Sequence, residues 1–153
     1  MNKDLLLLRR SDVASLLTLP NTIGLILLFD GSNGRPLAVM DSIDITTLRT
    51  GATTAVAAKY LACPDSSTVT VCGCGNQGHV QLAALMHAIP NIKQVYAWSL
   101  SGQTAKAFAP EMSQQLNVPV QSTGDLTTAV SRSDILITCT PAKGIGVRLN
   151  MYE

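Results

Sequence analysis

From residue 68 to residue 138 the apolar positions of the chain switch repeatedly between the period of a strand and the period of a helix. Thr68–Cys72 reads as a strand, and Asn76–Ala88 carries Val80, Leu82, Leu85 and Met86 at helical spacing with Ile89 just beyond. Gln94–Trp98 is rich in strand formers, Thr104–Leu116 is helical, Val118–Gln121 is a short strand, Asp125–Ser131 a helix, and Ile135–Thr138 a strongly apolar strand. Such alternation predicts a parallel sheet with crossover helices on its faces. The expectation is therefore an α/β protein with a Rossmann-like, doubly wound parallel sheet, incomplete at about four strands. In sheets of this kind the strand at 68 lies beside the strand at 135, and the crevice between their carboxyl ends takes the ligand. Ile135–Ile137 would then form an open apolar edge of the sort that finds a partner.

The pattern before residue 68 is different. Asp4–Leu8 reads as a strand, and Ser11 as the N-cap of a helix over Asp12–Leu17. Ile23–Phe29 and Pro36–Met40 read as two strands joined by Asp30–Gly34, whose residues tolerate positive φ. Ser42–Ala62 follows as a long helix whose small residues, Gly51, Ala52, Ala55, Ala57, Ala58 and Ala62, permit close packing. Three segments result: residues 1–41, a connecting helix over 42–67, and the alternating region 68–153.

Composition narrows the class. The 153 residues are 46% hydrophobic and 14% charged, with a formal net charge of +1. That describes a folded chain with a core, and it gives no reason to expect nucleic acid or an acidic membrane as a partner. The longest apolar runs, such as Ile23–Phe29, fall short of a membrane span, and the N-terminus has no signal-peptide layout, so the cytoplasm is the expected compartment. Cys63, Cys72, Cys74 and Cys139 have no paired C-x-x-C spacing, and with only two histidines no metal site is expected.

Between the first strand and first helix of the alternating region lies Gly73-Cys-Gly-Asn-Gln-Gly78. A G-x-G-x-x-G turn in that position cradles a dinucleotide diphosphate: Gly73 makes the turn, Gly75 lets the backbone approach the phosphates, and Gly78 lets helix and sheet pack. Asn76 and Gln77 begin the helix, where backbone donors and the dipole favour an anion. Cys74 sits in the same loop, a setting that can lower a thiol pKa, although a filler role suits it better than catalysis. The end of the second strand of the region reads Trp98-Ser-Leu-Ser101, with neither a carboxylate for a free ribose nor an arginine for a 2′-phosphate. Ser99 and Ser101 can hydrogen-bond either cofactor, and Lys106 is the nearest cation in sequence, so NAD and NADP both remain open. Arg49 is the one arginine in the small-residue helix and suits either a surface role or a bidentate clamp on a carboxylate. His79 and His87 read as ordinary helix positions.

Three runs together resemble a known family. They are Ala38–Asp41, Ile45–Ala62 with its R-T-G-A at Arg49–Ala52, and Val69–Gly78. The chain from about Gly24 to Thr140 is similar to the ornithine cyclodeaminase and mu-crystallin family, and an R-T-G-A helix coupled to a G-x-G-x-x-G turn is more specific than either alone. The resemblance implies an NAD- or NADP-dependent reaction at the α-carbon of a small amino or imino acid: ornithine cyclisation, alanine dehydrogenation, or reduction of a ketimine such as pyrroline-2-carboxylate. It implies that Arg49 holds the substrate carboxylate, that Thr50 lies near the diphosphate bound by Gly73–Gly78, that Ser99 and its neighbours face the ribose, and that Thr140 borders the nucleotide. It also implies that residues 1–41 are the remnant of an α+β substrate and dimerisation domain, and that the protein is a homodimer or associates through its open sheet edge. The family carries a long segment with a catalytic lysine before the strand at Ile23, where Leu19–Thr22 stands here, and an acidic loop beyond Pro141. The resemblance thus implies a shortened member: an enzyme of this type or, alternatively, a non-catalytic dinucleotide-binding module.

Overall fold

The computed structural model describes residues 24–140; the expected strand Asp4–Leu8 and helix Asp12–Leu17 lie outside them. The chain forms two compact units that divide between Thr46 and Thr47.

In the first unit, β1 (Leu25–Phe29) and β2 (Pro36–Asp41) pair antiparallel. The turn between them is organised by Asp30, whose carboxylate accepts the backbone N–H of Ser32 at 2.8 Å and the side-chain amide of Asn33 at 3.1 Å. Gly34 there has φ +72°, the left-handed conformation that glycine adopts without a Cβ penalty. Helix α1 (Ile43–Leu61) begins as this unit ends, and Asp41 receives the N–H of Ile43 at 2.6 Å.

The second unit contains β3 (Thr68–Cys72), α2 (Asn76–Ala88), β4 (Gln94–Trp98), α3 (Gln103–Leu116), β5 (Val120–Ser122), α4 (Leu126–Ser131) and β6 (Ile135–Thr138). Its four strands are all parallel in the order β5-β4-β3-β6. The chain therefore steps outward from β3 through β4 to β5 and then returns to the other side of β3, which makes the β3–β6 boundary a topological switch point. Val69, Val71, Val95 and Ala97 are fully buried, as are Leu82 and Leu85 from α2 and Met112 from α3. In β3 the intervening Thr70 and Cys72 are buried as well, as expected of a central parallel strand covered on both faces by crossover helices, whereas in β4 burial alternates.

The described elements fall within a residue or two of expectation; β1, expected from Ile23, runs from Leu25, and β5, expected from Val118, runs from Val120. The entry to β5 is held by the Ser113 hydroxyl, which donates to the Val118 carbonyl at 3.0 Å and accepts the Val120 N–H at 2.8 Å. Pro119 has no N–H to give, and its carbonyl takes the Val95 N–H at 3.0 Å. Beside the edge strand β6 a groove of about 420 Å³ is lined by Thr54, Ala57, Leu61, Gln81 and Ile135, among others. Among the described residues no helix is long and apolar enough to cross a membrane.

Candidate dinucleotide site

The three glycines of the turn are glycine for different reasons. Gly73 has φ +102°, and a Cβ there would come within 2.6 Å of the Cys139 carbonyl oxygen at the end of β6. A Cβ on Gly78 would run into the carbonyl of Gly73, with the Phe108 ring 3.6 Å away. Both positions are closed by the chain itself. At Gly75 the φ is an ordinary −91°, and nothing lies within 4 Å of the Cβ position. Among the described residues no contact accounts for the missing side chain at Gly75; a ligand lying against the backbone would.

The helix ends around the crevice differ in the same sense. At α4, Asp125 caps the first turn by accepting the Thr128 N–H at 3.1 Å. At α3, the Ser99 hydroxyl accepts the Ala105 N–H at 3.0 Å and the Ser101 hydroxyl lies 2.9 Å from that of Thr104. At α2 the cap residue is Gly75, no side-chain cap hydrogen bond forms, and the first turn carries no acid. The leading N–H groups of a helix have no intrahelical acceptor, and among the described residues no side chain caps those of α2, which leaves them open to an outside anion.

Around this opening the candidates are distributed as follows. Asn76 is exposed at the first position of α2, and Gln77 accepts from the Gln81 amide at 3.2 Å. Gln81 in turn receives the Thr54 hydroxyl at 2.9 Å, so a chain of side chains joins the first turn of α2 to α1. Thr50 lies one turn before Thr54 on α1, half-buried, with its carbonyl accepting the Thr54 hydroxyl at 3.3 Å. Gly51 packs on Val80, where a Cβ would fall 2.7 Å from a methyl group. Arg49 is exposed and makes no ion pair among the described residues. Thr140 follows β6, and its backbone nitrogen lies 3.0 Å from where a Gly73 Cβ would be. The acceptor positions of Ser99 and Ser101 are engaged by α3, while Lys106 is exposed further along that helix. The structure thus gathers Gly73–Gly78 and Thr140 at one crevice, and ties Thr50 to it through Thr54 and Gln81.

Cys74 takes the filler role expected of it, and the lowered pKa that its loop setting allowed does not occur. Its thiol is buried and donates to the Trp98 carbonyl at 3.4 Å, and burial, with smaller contributions from Cys72 and Cys139, pushes its pKa up to about 11. Loop position alone did not expose it to the helix end; the side chain turned into the core, where a thiolate is disfavoured. Two further residues contribute, Gln81 and Glu111. Gln81 follows Gln77 by one helical turn and was legible as an i,i+4 pair. Glu111, 3.3 Å from the His79 ring, comes from 32 residues along the chain and left no local signal.

Residues 11–150 match the family model described as ornithine cyclodeaminase/mu-crystallin. The chain belongs to that family. Among its relatives, the alanine dehydrogenase of Archaeoglobus fulgidus is 38% identical over 136 residues, which are 88% of this chain and 41% of that protein. The fold of Thermococcus litoralis Δ1-pyrroline-2-carboxylate reductase, solved with NADH and L-proline, aligns at a TM-score of 0.75 and 38% identity over 81% of this chain and 38% of that one. An archaeal alanine dehydrogenase dimer with bound NAD aligns at 0.73 and 37% identity, with the same coverage. The chain spans 35–41% of the length of the curated relatives it matches. Within the ornithine cyclodeaminase/mu-crystallin family, then, the members solved with NADH or NAD share this parallel sheet.

Proposed function

We propose that this chain is the dinucleotide-binding part of an NAD- or NADP-dependent enzyme acting at the α-carbon of a small amino or imino acid. The observation that carries the reading is Gly75, a glycine with open space before it among the described residues, at a helix N-terminus that no side chain caps there, beside the switch point of the sheet. Gly73–Gly78 would hold the diphosphate through backbone N–H groups, with Asn76 and Gln77 at its edge and Thr50 and Thr140 bordering it. Ser99 and Ser101 would face the ribose, with neither a carboxylate nor an arginine to select against NAD or NADP. When bound, the nicotinamide supplies hydride chemistry. Arg49 would hold the substrate carboxylate by two parallel hydrogen bonds. The relatives act on small amino or imino acids, and one is a dimer; the same substrate class, from ornithine or alanine to pyrroline-2-carboxylate, and a homodimer are proposed here.

Thermal unfolding with and without NAD(H) and NADP(H), in the parent chain and in Gly75→Asp, tests the site. A ligand that binds only the native state stabilises it by about 2.7 kcal/mol at a hundred times its Kd. The expected result is a rise of several degrees in the parent chain that vanishes in Gly75→Asp; equal melting with and without every cofactor would overturn it.

A second reading is binding without turnover. It is favoured by the composition of the segments at the crevice: residues 73–78 and 139–140 supply backbone donors and contain no lysine, histidine or carboxylate to move a proton. Incubation with NADPH and pyrroline-2-carboxylate, and with NAD and ornithine or alanine, separates the two readings.

A further inference from the structure

We propose that His79 is a positioning residue for the cofactor turn, locking it when the imidazole is doubly protonated; the proposal rests on the dinucleotide reading above. His79 is in the first turn of α2. Its Nδ1 lies 2.9 Å from the Gly75 carbonyl oxygen, and its Nε2 lies 3.3 Å from Oε2 of Glu111 on α3. A carbonyl and an ionised carboxylate can only accept, so both contacts are hydrogen bonds at once only in the imidazolium, which carries both hydrogens. Either neutral tautomer turns a lone pair toward one of the two acceptors and gives up that contact.

The surroundings favour a fixed ring. It stands edge-on to Phe108 with centroids 4.5 Å apart, and Phe108 is 1% exposed. The Gly75 carbonyl also takes the backbone N–H of His79 at 3.2 Å, so the glycine whose open side faces the crevice is held by two donors from one residue. The imidazolium therefore fixes the peptide on which the phosphates would lie, and it places a positive charge at a helix end already disposed toward an anion. The groups around His79 are few. Glu111 reaches it from α3, and the neighbouring groove is lined by His87 of its own helix, Gln115 of α3, and Leu48 and Ala52 of α1. Glu111 is the one acid in this set, and His87 the one other imidazole.

The sign follows from linkage. If the cofactor-bound form favours protonated His79, binding takes up protons, so affinity is greatest at low pH and falls as pH rises. NAD is the suitable probe, because it has no phosphate monoester and keeps its charge over this range, unlike NADP. Calorimetric titration of NAD into the full chain between pH 5.5 and pH 8 should show affinity falling about three- to fivefold, the scale of an exposed charge pair. The dependence should disappear in His79→Gln, shrink in Glu111→Gln, which keeps an acceptor but not the charge, and persist in His87→Gln. A flat profile in the parent chain, a dependence that survives His79→Gln, or one that is lost in His87→Gln would overturn the proposal while leaving the cofactor site standing. Absence of NAD binding at every pH would overturn the cofactor reading and this proposal with it.

Discussion

Val69 and Val71 in β3 are fully buried, whereas Leu27 in β1 and Val39 in β2 keep 55% and 65% of their surface exposed. All four are aliphatic residues in the middle of short apolar strands. The difference lies in what each topology brings with it. A parallel strand pair cannot form without a crossover, and each crossover here is a helix that covers the sheet. An antiparallel pair closes through a short turn and brings no cover, so an apolar hairpin can form its ladder without burying its faces. Hydrophobicity in the sequence marks both as strands, and only connectivity separates the strand that forms a core from the strand that needs one.

The sharpest way to break this comparison is to place the same charge in both regions. Val71→Asp puts an unpaired carboxylate where nothing is exposed, and should cost more than about 4 kcal/mol, enough to abolish cooperative urea unfolding. Leu27→Asp, on an exposed strand, should change stability by less than about 0.5 kcal/mol. Similar losses in the two variants would mean that β1 is as deeply covered in solution as β3.

The glycines allow a finer version of the test inside the second unit. Gly78→Ala sets a methyl against the Gly73 carbonyl and should cost about 2 kcal/mol in chemical unfolding. Gly75→Ala enters open space and should leave stability unchanged within about 0.5 kcal/mol while weakening cofactor binding. If Gly75→Ala destabilised the free chain as much as Gly78→Ala, the open space at Gly75 would have a structural explanation and the argument for a ligand there would fail.

Much of this organisation was legible in the residues because its signals are local. The alternation of strand and helix periods places β3 to β6 closely, and the G-x-G-x-x-G spacing places the turn between β3 and α2. What was not legible depends on facing. Ser99 and Ser101 read as groups for a ribose, and they also accept from the first turn of α3, because a serine near a helix start finds amide hydrogens within reach. Cys74 read as a thiol at a helix N-terminus, and its burial against the Trp98 carbonyl is a consequence of the sheet, which a six-residue motif does not encode. The meeting of His79 and Glu111 depends in the same way on how α2 and α3 cross.

The smallest expected effect compares one chemistry in the two regions. The Asp30 carboxyl is held below the usual carboxylate range chiefly by the Ser32 hydroxyl, within a single turn of the hairpin. Asp134 is held low chiefly by the backbone N–H of Ser67 at 2.8 Å, and then by that of Thr68 at 3.0 Å, a contact that spans 67 residues and joins the starts of β3 and β6. A carboxylate whose folded pKa is depressed contributes stability that is present above its ordinary value of about 3.9 and is lost as pH falls through the folded value. Both groups are exposed, so solvent screens them and the effects are small. They should differ in where they appear. Asp134→Asn should lower the melting temperature of the sheet at pH 7 and flatten its decline on the acid side. Asp30→Asn should leave that melting curve alone and speed amide exchange only near the turn, because the loop it closes is local. Acid melting curves that respond equally to the two substitutions would show that hairpin and sheet unfold as one cooperative unit.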